Sequence, residues 1–442
     1  MTINPPVAGI AGRITAIRNT TGSFSATPRP GRRFAAGVPW LCLALAISAT
    51  ASADAGRLTL DQALERALET DPQLQRLTAE QRALGADAIA AGQLPDPQLQ
   101  LGVMNMPMPE FSFASEPMSQ LQLGISQRFP ARATRHARSD LATARSATLD
   151  AEVATRRLDV RMQTRRLWVE LQHRQRMLAI EHQKAEVLDR LTETLDARRA
   201  VSRAYQTSVL SSRARRARLE KSLTDHRAAI ARTRAALGEL LAPDPLPEDL
   251  APARLDAPPP SMIDDHPEIV VATRRVHEAH RRVDEAQAAF QPGWQASVGV
   301  GQRFGDTPMG SPSDTLIFAS VTIDLPLFTR NRQSRRLEAA HERVGAADAG
   351  PVEVRRRLSA AWRSADDLYA EYDALVASYT DSVLVLAREQ EAAEQLRYRS
   401  GEQELDPVLE ARLARLENER ERVELTLERD RAAITLYYLG GR

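Results

Sequence analysis

The feature that most constrains this chain is that it repeats itself. Residues 71–103, opening Asp71-Pro72-Gln73-Leu74 and passing through an Ala-rich run to Pro97, recur 195 residues later at 266–298, opening His266-Pro267-Glu268-Ile269. At an offset of 196, Ile125-Ser126-Gln127-Arg128-Phe129-Pro130 meets Val321-Thr322-Ile323-Asp324-Leu325-Pro326. At an offset of 199, Tyr205-Gln206-Thr207-Ser208 meets Glu404-Leu405-Asp406-Pro407. A nearly fixed period with small drift is the mark of a duplicated supersecondary unit. Each unit reads as helix, β-hairpin, very long helix, sharp turn, long helix. The expected division is an N-terminal extension with export signal at 1–53, a first repeat at 54–241, a Pro-rich linker at 242–262 and a second repeat at 263–442.

The periodicities identify the parts. A first helix is expected from Thr59 or Asp61, either of which can cap it, to about Gly92. In the hairpin at about 97–129, Gln98, Gln100 and Gly102 alternate with Leu99, Leu101 and Val103, and Gln120, Gln122, Gly124 and Ser126 alternate with Leu121, Leu123 and Ile125. The hairpin at about 293–326 repeats this: Gln295, Ser297 and Gly299 against Val298 and Val300, then Ser320 and Thr322 against Val321 and Ile323. Strict alternation gives strands with one polar and one apolar face. No second sheet is available to cover the apolar faces, so they fit an outer-membrane barrel with a wet lumen. Four strands cannot close around a lumen, and edges in lipid are forbidden, so closure requires several copies.

From about His136 to Arg199 no Pro or Gly interrupts the helical pattern, a length of about 95 Å. In the last helix Leu409, Leu413, Leu416, Val423, Leu427 and Ile434 form a coiled-coil seam, with Arg420 and Asp430 in its polar slots. Gly350-Pro351 is expected to interrupt the second long helix, read as Val352 to Tyr398. Arg32-Arg33 and the apolar run Val38–Ile47, followed by Ala-x-Ala frames ending at Ala51 and Ala53, read as a secretory signal. Cys42, the single cysteine, lies inside it. A net charge of +1 and the absence of a basic stripe with aromatics argue against a nucleic-acid partner. With 26% charged and only 5% aromatic residues, the composition suits long solvated helices.

In combination these residues resemble the TolC-like outer-membrane efflux family across roughly 57–440. The marks are Leu60-Asp61-Gln62-Ala63-Leu64 with Asp71-Pro72, the strand ends Ser126-Gln127-Arg128-Phe129-Pro130 and Asp324-Leu325-Pro326-Leu327-Phe328, and the turn Tyr398-Arg399-Ser400-Gly401 with Asp406-Pro407-Val408-Leu409. The resemblance implies a mainly α fold with a transmembrane β part. Long antiparallel coiled-coil helices would form a periplasmic α-barrel, and four strands per chain would join a trimeric twelve-stranded outer-membrane barrel. It implies a homotrimer in outer-membrane lipid, a periplasmic adaptor protein, a proton-driven inner-membrane pump and no cofactor. Adaptor docking would fall at the periplasmic tips, here Ser202, Arg203, Tyr205, Arg399, Gly401, Glu402, Glu404 and Asp406. Ser202 stands where the second repeat has Gly401. Ala131-Arg132-Ala133-Thr134 stands where many metal-efflux relatives carry Gly-Lys.

Three groups invite chemistry. Met104, Met106, Met108 and Met118 in the first hairpin are thioethers of the kind that bind Cu(I) or Ag(I), or else pack on a barrel rim. The loop Met104-Asn105-Met106-Pro107 with Glu116-Pro117-Met118 resembles those of the heavy-metal-efflux branch. His277 and His280 share a helical face, but without a third ligand they read as a solvated coiled-coil face. Glu402, Glu404 and Asp406 would form an acidic ring at the tip favouring cations, unless Asp406 caps the following helix. No catalytic constellation is present, so no enzyme is expected. Export of metal cations or small toxic compounds is the leading reading. A type I protein-secretion duct and a soluble periplasmic coiled-coil scaffold are its rivals.

Overall fold

A computed structural model describes residues 57–108, 116, 118–200, 206–242, 246–247, 250–253, 255, 263–304 and 314–441. The signal assigned to residues 1–53 lies outside them. The first repeat gives α1 (Leu60–Thr70), α2 (Pro72–Ala91), β1 (Gln98–Met104), β2 (Gln120–Phe129), α3 (Arg132–Arg199) and α4 (Gln206–Leu241). The second gives α5 (Pro267–Ala288), β3 (Trp294–Arg303), β4 (Leu316–Ile323), α6 (Gln333–Ser378), a π-helical turn (Tyr379–Val383), α7 (Leu384–Arg399) and α8 (Leu405–Leu439).

The helix starts follow from their caps. Thr59 opens α1 through a reciprocal capping box with Gln62. The expected single helix from there to Gly92 is instead two. Asp71 takes extended backbone, caps α2 by accepting from the Leu74 amide at 2.6 Å, and is followed by Pro72 at N1. Proline lacks the N–H that a first-turn position leaves unpaired, so it starts a helix readily and is costly inside one. His266-Pro267 repeats the device: His266 accepts the Glu268 amide at Nδ1 and Pro267 is the first residue of α5.

Gly350-Pro351 does not break α6, which starts at Gln333 and runs through it. Docking on α5 holds the helix there: a Cβ added at Gly350 would meet Ala272 of α5 at 3.9 Å. The irregularity comes later, at the π turn 379–383.

α3, at 68 residues, is about 100 Å long, and it is the spine. Along its far half Val187, Leu188 and Leu191 pack with Val209, Leu219 and Leu223 of α4 and with Leu409, Leu413, Leu416, Val423, Leu427 and Ile434 of α8, all buried. The seam read from the sequence is therefore a core. Its polar slots are paired. Asp430 accepts from His173 Nε2 at 2.9 Å, and Arg420 bridges Glu417 and Glu424 near buried Glu181. Trp168 and Leu171 of α3 pack with Ala63, Ala67, Leu237 and Leu241. The linker is anchored where it is described: Ala251 donates to the Leu58 carbonyl at 2.9 Å, and Gln172 of α3 bonds Ala251 and Ala253.

The strands form one antiparallel sheet in the order β1-β2-β3-β4. Its central pair, β2 with β3, joins the two repeats.

Candidate functional site

The register settles the faces of the sheet. Leu99, Ile125, Val298 and Ala319 stand in one row across the four strands, and Leu101, Leu123, Val300 and Ile317 in the next but one. These apolar side chains point the same way and are exposed; Leu101 is 73% accessible and Ile317 78%. On the opposite face run Gln100-Gly124-Gly299-Phe318, between those two rows, and the polar row Gln98-Ser126-Ser297-Ser320 beside the first. The Ser297 and Ser320 hydroxyls lie 2.7 Å apart. Phe318 lies over Gly124 and Gly299, the close approach that glycine at those positions allows. At the helical end Phe129 stacks on Trp294 at 4.1 Å, and exposed Leu325, Leu327 and Phe328 follow β4. Each outer strand, β1 and β4, has one neighbour among the described strands. No described helix is long and apolar enough to cross a membrane.

At the other end, α7 and α8 meet at a turn built by Gly401. Its φ is +77°. Its N–H bonds the Tyr398 carbonyl at 3.1 Å, and the Glu402 N–H bonds that of Arg397 at 3.0 Å. These two bonds are the Schellman motif, and the left-handed residue it requires is most readily glycine.

Asp406 does not cap α8. Glu404 holds the N-cap position without a side-chain hydrogen bond, and Asp406 lies inside the first turn. Both carboxylates face Arg198 of α3. Arg198 pairs with Glu404 and approaches Asp406 to 2.5 Å. Burial pushes the Asp406 carboxyl above its ordinary range, against the lowering effect of Arg198. Two of the three tip acids are thus matched by a cation, which weakens the case for an acidic ring. Arg399 and Glu402 lie at the same tip, whereas Ser202, Arg203 and Tyr205 lie outside the described residues. Arg198 escaped the sequence reading because nothing local marks its partners, which come 206 and 208 residues later.

Met104 ends β1 on the polar side of the sheet. Its sulfur accepts from the Gln122 amide at 3.3 Å and the Gln120 amide at 3.6 Å. Asn105, at φ 55°, bonds the Met118 carbonyl and begins the loop. Met108 and Met118 are exposed and Met106 is half-buried. His277 receives a bond from Arg281 Nε at 3.5 Å. Among the described residues no three His, Cys, Asp or Glu side chains gather as a metal site.

Two sets of polar contacts missed in the sequence hold the matching helix starts, one within each repeat. Asp71 binds Arg156 of α3 at 2.7 Å. Burial raises its carboxyl, but the Arg156 hydrogen bonds, the Leu74 amide and the Arg156 charge outweigh this and leave it below the usual range. Fully buried His266 bonds the Tyr438 carbonyl through Nε2 at 3.2 Å, and burial holds its imidazole below the ordinary value. The Tyr438 hydroxyl donates to Glu268 at 2.8 Å. The available signal was the 195-residue match of Asp71-Pro72 with His266-Pro267.

Residues 259–442 match the family model of outer membrane efflux proteins. No curated protein sequence matches the chain. Its fold is similar to the outer membrane protein VceC of Vibrio cholerae (22% identity, TM-score 0.68, covering 86% of this chain and 96% of that one). It is also similar to the MtrE outer membrane channel of Neisseria gonorrhoeae, in its open state (18%, TM-score 0.70, 86% and 88%). A third likeness is to CusC, described with its transmembrane channel formation (15%, TM-score 0.68, 87% and 92%). Residues 259–442 thus resemble outer membrane efflux proteins in sequence, and most of the chain is similar in fold to solved outer-membrane channels.

Proposed function

We propose that the protein is the outer-membrane channel of a tripartite efflux system and works as a homotrimer. The observation that carries this is the four-stranded sheet. It has an exposed apolar face, a polar reverse and two open edges, and it is continuous with helices about 100 Å long. An edge left open in hydrocarbon costs several kcal/mol per unpaired backbone group. Pairing β4 of one copy with β1 of the next removes both edges, and three copies give the twelve strands of the resembled family. The polar rows then line a wet lumen, and the helices carry it through the periplasm.

The tip at Arg399, Gly401, Glu402, Glu404 and Asp406, together with Ser202, Arg203 and Tyr205, docks the periplasmic adaptor. A proton-driven inner-membrane pump feeds it. The channel does no bond chemistry; its work is a continuous path. The cargo is metal cations (Cu or Ag, or other heavy metals) or small toxic compounds. The Met104 thioether on the lumen-side face supports the metal reading.

Deletion of the gene tests this. Greater growth inhibition by Cu and Ag, or by Zn, Co and Cd, supports metal export, and Met104→Leu then tests the thioether. Sensitivity to drugs alone removes the metals and keeps the channel. Unchanged sensitivity with a retained exported protein replaces efflux by type I secretion. Recovery of the protein in the soluble fraction defeats the membrane reading altogether.

A further inference from the structure

Just below the sheet, α3, α5 and α6 enclose a hollow of about 310 Å³ walled by Arg138, Arg145, Arg282, Arg336 and Arg343, with Glu285 the one acid in its lining. We propose that this hollow binds a phosphate group, supplied by an anionic phospholipid at the periplasmic boundary of the membrane. The inference rests on the channel reading for its depth in the membrane, but not for its chemistry.

The charge is unbalanced by construction. Arg138 lies 3.8 Å from Glu285. Arg145 and Arg282 share a single oxygen of Glu278, at 3.3 and 2.7 Å. Neither Arg336 nor Arg343 makes an ion pair or a side-chain hydrogen bond among the described residues. Five guanidinium groups therefore stand against two carboxylates. Arg336 and Arg343 sit two turns apart on α6, either side of buried Ala340. This presents two forks toward one space, the geometry that suits a phosphate's several acceptor oxygens.

Position agrees with chemistry. The apolar girdle of the sheet ends at stacked Phe129 and Trp294 and at exposed Leu325, Leu327 and Phe328. Both repeats then turn basic at once. No acid occurs between Asp324 and Glu338, a stretch holding Arg330, Arg332, Arg335 and Arg336, nor between Glu116 and Asp140, which holds Arg128, Arg132, Arg135 and Arg138. A basic collar next to an apolar, aromatic-tipped face lies at the depth of lipid phosphates, where each Lys or Arg adds about 1 kcal/mol of attraction.

The test uses the full chain purified in a neutral detergent, compared with Arg336→Gln/Arg343→Gln. These exposed, unpaired side chains can be neutralised without unbalancing any buried group, and circular dichroism checks the fold. Phosphatidylglycerol binding is measured by native mass spectrometry and inorganic phosphate binding by calorimetry. The expected result is phosphatidylglycerol binding that weakens ~30-fold in the double variant, the ratio set by two such contacts, and that falls with added salt. Inorganic phosphate binding with the same arginine dependence, without lipid binding, keeps the site and makes its source soluble. Equal binding of both probes by wild type and variant, or binding of neither, overturns the proposal. Membrane fractionation of the wild type is read separately: a soluble protein would defeat the channel reading while leaving the phosphate result to stand.

Discussion

Gly299 shows how much one hydrogen decides. A Cβ there would come within 2.3 Å of Phe318 Cζ, 2.7 Å of the Leu123 carbonyl oxygen and 2.9 Å of the Gly124 Cα. Two of these are backbone atoms that cannot swing aside. Gly299→Ala is expected to lower resistance of the folded chain to heat or denaturant by about 1–3 kcal/mol. Gly102→Ala, with nothing within 4 Å of its Cβ, should leave the midpoint nearly unchanged, and equal midpoints for both would refute the close approach. The two matched caps titrate in different windows. His266 is held neutral, its folded pKa below the ordinary 6.5. A depressed pKa means the unfolded chain binds the proton more readily, so stability is lost as pH falls through and below 6.5. Asp71, also depressed, follows the same sign below 3.8. His266→Asn keeps an N-cap acceptor and removes the titration. Denaturant midpoints from about pH 7 to pH 5 should fall in wild type and flatten in the variant; parallel slopes would show that His266 contributes nothing. The histidine was legible as the start of a repeat. Its burial was not, because Tyr438, which it touches, lies 172 residues away.

Among the elements, sequence pattern performed best where one period ran long. The strands and the α8 seam were read from alternation and heptad spacing alone, since each fixes which side chains share a face. Breaks fared worse. Asp71-Pro72 is a helix start inside an otherwise helical run, with Asp71 as N-cap and Pro72 at N1. Gly350-Pro351 predicts an interruption, yet α6 continues through Pro351 because packing against α5 outweighs an intrinsic penalty of about 3 kcal/mol. Pro351→Ala should therefore stabilise the chain, by up to that amount, in a denaturant titration; a loss of stability would show that the proline is needed. The π turn at 379–383 contains neither Pro nor Gly, and its sequence gives no warning. At the tip the turn chemistry was legible from Gly401 itself. Gly401→Ala meets no steric obstacle, so its cost is conformational alone, about 1–2 kcal/mol. It should appear as faster amide hydrogen exchange at residues 396–402, with residues at mid-α8 unaffected.

For the whole molecule, the faces of the sheet make the sharpest test. Val298→Arg places a charge in the exposed apolar row and should cost about 2–4 kcal/mol of membrane stability, read as protein lost from the membrane fraction. Gln100→Arg, in the adjoining polar row, should insert normally; the reverse order would mean that the sheet faces the other way. Duplication, alternation and uninterrupted helical runs determined the order of elements, the amphipathic sheet and the scale of the helices. Each is a local regularity that a chain carries wherever it folds. Tertiary structure alone decided that β2 and β3 join the repeats, that Arg198 matches Glu404 and Asp406, and that five arginines of α3, α5 and α6 face one hollow. Those pairings link residues some 50 to 210 positions apart, and only the packing of long helices against one another brings them within reach.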